Sequence, residues 1–305
     1  MGQLFLNLTE QGKNGAARWL GGTLNVLFFW FIIGSILSAP FLIISVWGLL
    51  TSGEFNGQLD RADPFWLYLA TNVSFLGVWL GLWLTVRFIH QRAFRTLVTP
   101  APKISWRRIA QGFFVWLALI ALAQVVEFVI YPERAQFTFD PSKWILFLPF
   151  VLILTPIQTS AEELLFRGYW LQGTGRLTRN VIVLCVINGI LFGLPHMLNP
   201  EVMANPNDTL VLFLNYFVTG AALALYTLRD NRLELALGAH ASNNLFAALA
   251  VNYKDSALTT PALFTNSTLD AYFGFVMLML VSVAFYLIVF RVLDRRADKS
   301  LNELY

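Results

Sequence analysis

Eight long stretches of this 305-residue chain are nearly free of charge: 24–50, 65–89, 109–131, 144–170, 181–198, 210–228, 233–251 and 272–293. A helix that crosses the hydrocarbon core of a bilayer needs about 20 consecutive apolar residues. Runs of this length predict an all-α, polytopic membrane helix bundle with about eight transmembrane helices. Composition points the same way, because only 13% of residues are charged, about half of the roughly 25% usual in a soluble domain. The first run far exceeds the roughly 7 to 15 residues of a signal-peptide core, and no A-x-A-like cleavage site follows it, so it reads as a true span. Residues 1–23 form a polar lead-in suited to the interface, and 24–143 hold three N-terminal transmembrane helices.

Orientation follows from the basic residues, which favour the cytoplasmic side. The exit of every even-numbered span is basic: Arg92, Arg95, Lys103, Arg107 and Arg108, then Arg176 and Arg179, then Arg229 and Arg232, then Arg295, Arg296 and Lys299. The odd exits carry Glu54, Asp60 and Asp63 against Arg61, then Glu133 and Asp140 against Arg134 and Lys143, and 199–209 has acids and no base. This alternation predicts that both termini are cytoplasmic. Trp66, Trp106, Trp144 and Trp170 stand near span ends, where an aromatic belt belongs. Residues 229–232 alone separate the sixth and seventh spans, which makes them a tight helical hairpin or one bent element.

A net charge of +3 and a pI near 9.1 would suggest nucleic acid only if the bases clustered on a soluble face. They sit in short loops between spans, so no nucleic-acid partner is expected. The single cysteine, Cys185, lies in an apolar run and excludes a disulfide framework or a multi-cysteine metal site.

Ionisable groups placed in hydrocarbon cost at least about 2.5 to 3.5 kcal/mol each, so each is a functional candidate. Glu127 passes this filter but stands alone near an outer end. The fourth span carries Glu162, Glu163 and Arg167. On a helix, Glu163 and Arg167 are four apart with the acid N-terminal, the better order for an ion pair. Glu162 points about 100° away and is free to face a different cavity as acid or base. Two of the three histidines also lie in spans: His196, four after Phe192, and His240, four before Asn244. His240 and Asn244 therefore share a helical face. Pro195 should disturb the helix beside His196, and Gly189, Gly193, Gly220 and Gly238 permit close helix approach. A carboxylate, two imidazoles and an amide converging in a protected pocket suit hydrolysis, in which a base takes a proton from water while donors stabilise an oxyanion. Ser160 and Ser242 lie near these motifs without a dedicated base.

The three elements, E-E-x-x-x-R at Glu162, Glu163 and Arg167, F-x-x-x-H at Phe192 and His196, and H-x-x-x-N at His240 and Asn244, resemble the CPBP family. It comprises CAAX proteases and bacteriocin-processing enzymes, including the type II CAAX prenyl endopeptidase. The resemblance covers roughly 144–251 as a catalytic core, leaving 252–305 for the last helix and a cytoplasmic tail. It implies an intramembrane endopeptidase in which Glu162 activates water, His196 helps to hold it, His240 and Asn244 form an oxyanion hole, and Arg167 is structural. Family members are often described as metalloproteases. In that version Glu162, His196 and His240 would bind a divalent metal such as zinc, although a neutral Asn244 is a poor zinc ligand. The expected partners are a peptide or protein substrate at the membrane and the lipid bilayer itself, in a bacterial inner membrane.

Two other readings compete. Buried Glu and His also serve proton-coupled transporters, but these usually show internal repeats, and none is visible. A non-catalytic scaffold or immunity-type protein would have no need for Glu162. One geometric difficulty stands. Straight helices at 1.5 Å per residue put His196 about 22 Å from the cytoplasmic start of its span, with Glu162 and His240 nearer that side. The fifth span must tilt, begin outside the hydrocarbon or be broken for the motifs to meet.

Overall fold

Each apolar run becomes a helix in the computed structural model, which describes residues 1–55, 57, 59, 61–253, 255–257 and 260–294. Asp60, Arg295, Arg296 and Lys299, which entered the charge pattern, lie outside the described residues. The helices are α1 (Ala16–Ser52), α2 (Pro64–Ile89), α3 (Trp106–Ile130), α4 (Pro141–Thr174), α5 (Val181–His196), α6 (Thr209–Asp230), α7 (Glu234–Leu249) and α8 (Ala271–Leu293). Several begin on side-chain caps, which satisfy the orphan N–H groups of the first turn. Asp63 accepts from Phe65 N–H at 2.9 Å, Asp140 from Ser142 N–H at 3.0 Å and Asn180 from Ile182 N–H at 2.9 Å.

Six of these helices, α1 to α4, α6 and α8, are long and apolar enough to cross a membrane. The remaining two, α5 and α7, have 16 residues each, about 24 Å at 1.5 Å per residue. They are shorter than the other six, and the chain is a multi-pass integral membrane protein with six helices of spanning length and two shorter ones among the described residues. Its outer surface is apolar. Phe31, Trp47, Phe114, Val129, Ile145, Ile182 and Leu280 are all more than half exposed, as a lipid-facing surface requires.

The interior holds the polar groups. The short helix α7 packs against α3 and α4, while α5 and α6 form a tight pair. Glycine makes both approaches possible. A Cβ on Gly238 would collide with the Ile109 carbonyl and lie 2.7 Å from Phe113 N, and one on Gly220 would lie 2.8 Å from Phe192 Cβ. The α6–α7 connection is a hairpin turn, with Asn231 in the left-handed region at φ 55° and its side chain accepting from Leu4 N–H at 3.1 Å.

Two features depart from the expected plan. The first helix begins at Ala16 rather than near residue 24, and the lead-in before it is folded into the bundle, with Phe5, Leu6 and Leu8 at most 3% exposed. These apolar side chains have a core to join, with Leu6 packed under Gly175, so the segment is held against the helices rather than free of them. Three short strands also appear on the side of the odd-numbered loops. They are β1 (Ala135–Phe137), β2 (Val251–Tyr253) and β3 (Phe264–Asn266), in the order β1-β3-β2, with β1 antiparallel and β2 parallel to β3. This small cap joins the loop after α3 to the loop after α7.

Candidate active site

The first motif lies inside α4, and the helix places its two acids on different faces. Glu162 lines a cavity of about 280 Å³ together with Gln158, Phe192, His196, His240 and Asn244. Glu163 faces away from it and is fully buried. Its Oε1 accepts from Arg167 Nη1 at 2.8 Å, with neither side chain exposed, and from His240 Nδ1 at 2.7 Å. The expected ion pair is therefore present, and the acid also holds an imidazole. The pair spans the entry into a π-helical turn over Leu164–Trp170, a departure from α geometry that is common at functional sites.

His240 joins the two acids. With Nδ1 directed to Glu163, its Nε2 lies 3.6 Å from Glu162 Oε2. Phe192 closes the other side, its ring 4.2 Å under the Arg167 guanidinium and edge-on to His240 at 5.9 Å. The π face of an aromatic ring attracts a cation at such a distance, so Phe192 supports the Arg167 guanidinium while it packs against His240. His196 is the last residue of α5, where the helix ends just past Pro195. Its Nδ1 donates to the Phe192 carbonyl at 2.6 Å, which leaves Nε2 as an acceptor in the neutral ring. The ring stacks on Tyr216 with centroids 4.3 Å apart.

The depth difficulty resolves through the segment at 94–99. Leu233 N–H donates to Val98 O at 2.8 Å, and a Cβ on Gly168 would lie 2.9 Å from Leu97 O, so this strap sets α4 and α7 at one level. From there Glu162 is six residues back along α4 and His240 seven residues along α7, each about 10 Å deeper. Beyond Glu162, α4 runs on to Thr174, about 18 Å at 1.5 Å per residue. Glu162 thus lies far from that end of α4, and His196, about 22 Å along α5, reaches the same cavity without a break in the helix.

Several lining residues escaped the sequence reading. Gln158 donates through Nε2 to Glu162 Oε1; its signal was the same four-residue spacing that flagged the other pairs. Glu201 counted only as a loop charge, yet it is 2% exposed. It accepts from Tyr216 Oη, from Asn199 Nδ2 at 3.0 Å and from Ala257 N–H at 3.0 Å, tying the loop after α5 to the loop after β2. Glu127 accepts from Gln124 at 2.9 Å and Asn266 at 3.3 Å and is no part of this cavity.

Among the described residues no three His, Cys, Asp or Glu side chains are grouped closely enough to hold a metal ion. Both rings turn Nδ1 to an acceptor and leave Nε2 for the cavity, the orientation a metal-binding histidine also takes. It is the spacing of Glu162, His196 and His240, which form no such close group, that does not fit a metal held jointly by the three.

Residues 141–246 match a family model described as Type II CAAX prenyl endopeptidase Rce1-like, and all seven motif residues fall within that stretch. The chain is also similar to "Uncharacterized protein YyaK" of Bacillus subtilis (strain 168). The two are 37% identical over 272 residues, 86% of this chain and 89% of that protein. No solved structure matches the chain.

Proposed function

Since the chain belongs to the CPBP family of CAAX proteases and bacteriocin-processing enzymes, we propose that it is an intramembrane endopeptidase that hydrolyses a peptide bond of a membrane-associated substrate. The observation that carries this reading is that Glu162, His196, His240 and Asn244 line one cavity. In this reaction Glu162 takes a proton from water as its oxygen attacks the peptide carbonyl. The acceptor Nε2 of His196 holds the other water hydrogen. The carbonyl becomes an oxyanion that accepts from Asn244 Nδ2 and from Nε2 of His240. Glu162 then gives its proton to the departing nitrogen, the C–N bond breaks, and an acid and an amine leave.

Charge balance supports the donor role of His240. Its Nδ1 hydrogen goes to Glu163, so Nε2 donates only in the imidazolium form. In that form the cluster of Glu162, Glu163, Arg167 and His240 has no net charge, the condition under which buried ions are tolerated. Glu163 and Arg167 thereby act through His240 rather than on the substrate.

The test is a comparison of new peptide termini in a membrane protein fraction incubated with the purified chain or with Glu162→Gln. Termini produced by the unaltered chain and missing with the variant support the reading, and identical profiles overturn it.

A further inference from the structure

Four hydrogen bonds link α3 to the proposed base. Trp116 Nε1–H donates to Asn243 Oδ1 at 3.3 Å, Asn243 Nδ2 to Asn244 Oδ1 at 3.2 Å, Asn244 Nδ2 to Gln158 Oε1 at 3.3 Å, and Gln158 Nε2 to Glu162 Oε1. The oxygen and nitrogen of an amide are normally interchangeable in such a network. Here the ends remove the ambiguity. An indole N–H can only donate, and an ionised carboxylate can only accept. Between two such ends, one orientation of the three amides satisfies every link, and flipping any of them sets oxygen against oxygen or N–H against N–H. The starting donor is itself fixed, since Trp116 is 3% exposed and packs edge-on against Phe285 at 5.4 Å.

We infer that Trp116, Asn243 and Gln158 are positioning residues that together set the polarity of the site. The relay holds Asn244 with its NH2 group as the donor, so that one N–H serves Gln158 and the second is presented to a developing oxyanion. It also clamps Glu162 through Oε1. The other oxygen, Oε2, is buried and has no hydrogen-bond partner among the described residues, and it is the atom that faces His240. Oε2 is therefore the oxygen that takes the proton from water. The catalytic meaning of the relay rests on the peptidase reading, while its existence does not.

Two measurements separate these. The hydrophobic carbodiimide DCCD adds to protonated carboxyl groups, and its adducts on the full-length chain in detergent are located by mass spectrometry without any substrate. Loss of a donor to the charged form favours the neutral form, so Gln158→Leu should raise labelling of Glu162 about threefold to tenfold, the size of one hydrogen bond. Trp116→Phe, which frees the amides to turn, should raise it less. Glu163, enclosed by Arg167, stays unlabelled in all of them. Equal labelling of Glu162 in the unaltered chain and Gln158→Leu overturns the relay. On a peptide that the unaltered chain cleaves, Trp116→Phe and Asn243→Asp should each lower kcat about tenfold, again one hydrogen bond, with KM nearly constant. Asn243→Asp keeps the shape and the acceptor for Trp116 but removes the donor and adds a charge, so the neutral Asn243→Leu, of similar size, is measured beside it, and a mere packing role would leave kcat of Asn243→Leu intact. That result overturns the part of the relay in the reaction. Failure of the unaltered chain to cleave anything counts against the peptidase reading alone, because the labelling still decides the relay.

Discussion

Arg167 lies 2.8 Å from Glu163 on one face of α4, and neither side chain has any exposure. Removing one partner of such a pair leaves a charge buried without compensation and typically costs about 3 to 5 kcal/mol. Arg167→Met should therefore lower the yield of folded protein and the unfolding temperature in detergent. The double change of Glu163→Gln with Arg167→Met should recover much of both. Unchanged thermal stability of Arg167→Met would show that the pair does not support the fold.

Substitutions in the cavity should rank in a definite order. Glu162→Gln keeps size and much of the hydrogen bonding but cannot take a proton, so cleavage should be lost while the protein stays folded. His196→Ala should behave alike. Asn244→Ala removes one oxyanion donor, a change that typically costs about 10² to 10³ in rate. Rates on a single cleaved substrate check the order, and equal turnover by Glu162→Gln would remove Glu162 from the chemistry.

The cytoplasmic expectation for the loop after α2 is open to direct measurement. A reporter placed after Thr99 should sit on the cytoplasmic side and one near Asn207 on the opposite side. Both on one side would mean that the helices between them cross an even number of times.

His90, just past the end of α2, gives the fold a dependence on acid. Its Nδ1 donates to Lys13 O and its Nε2 accepts from Tyr169 Oη, both at 3.0 Å. Burial, with Arg92, Arg18 and Arg176 nearby, holds its imidazole below the usual value of 6.5. The unfolded chain then binds the proton more readily than the folded one, so stability is full above about pH 6.5 and declines as pH falls below it. Unfolding temperatures measured between pH 8 and pH 5 should show this decline, and His90→Gln should reduce it.

The helices were legible because a bilayer demands uninterrupted apolar length, and that demand is written locally in runs such as 65–89 and 272–293. The convergence of Glu162, His196, His240 and Asn244 was legible for a similar reason, since few polar groups appear in those runs. What could not be read depends on neighbours far along the chain. Glu201 looks like any loop acid until Tyr216 and Ala257 are brought to it. Gln158 carries no charge to draw attention, and one of its two partners, Asn244, lies on α7. The three-residue strands are too short to leave a periodic signal, and the burial of Phe5, Leu6 and Leu8 depends on a core built by later segments.

The sharing of Glu163 between a partner on its own helix and one on α7 bears on how the chain is made. His240 lies 77 residues after Glu163, so α4 leaves the ribosome and meets the membrane while its imidazole partner is still unsynthesised. Arg167, one turn away, is already there. The ion pair within α4 cancels one acid at the moment of insertion, when an unpaired charge at the helix centre would cost about 2.5 to 3.5 kcal/mol. The later arrival of α7 then completes the cluster in place. Order of synthesis and order of neutralisation coincide, and an Arg167 moved to another helix would keep the final contact but lose that protection during biogenesis.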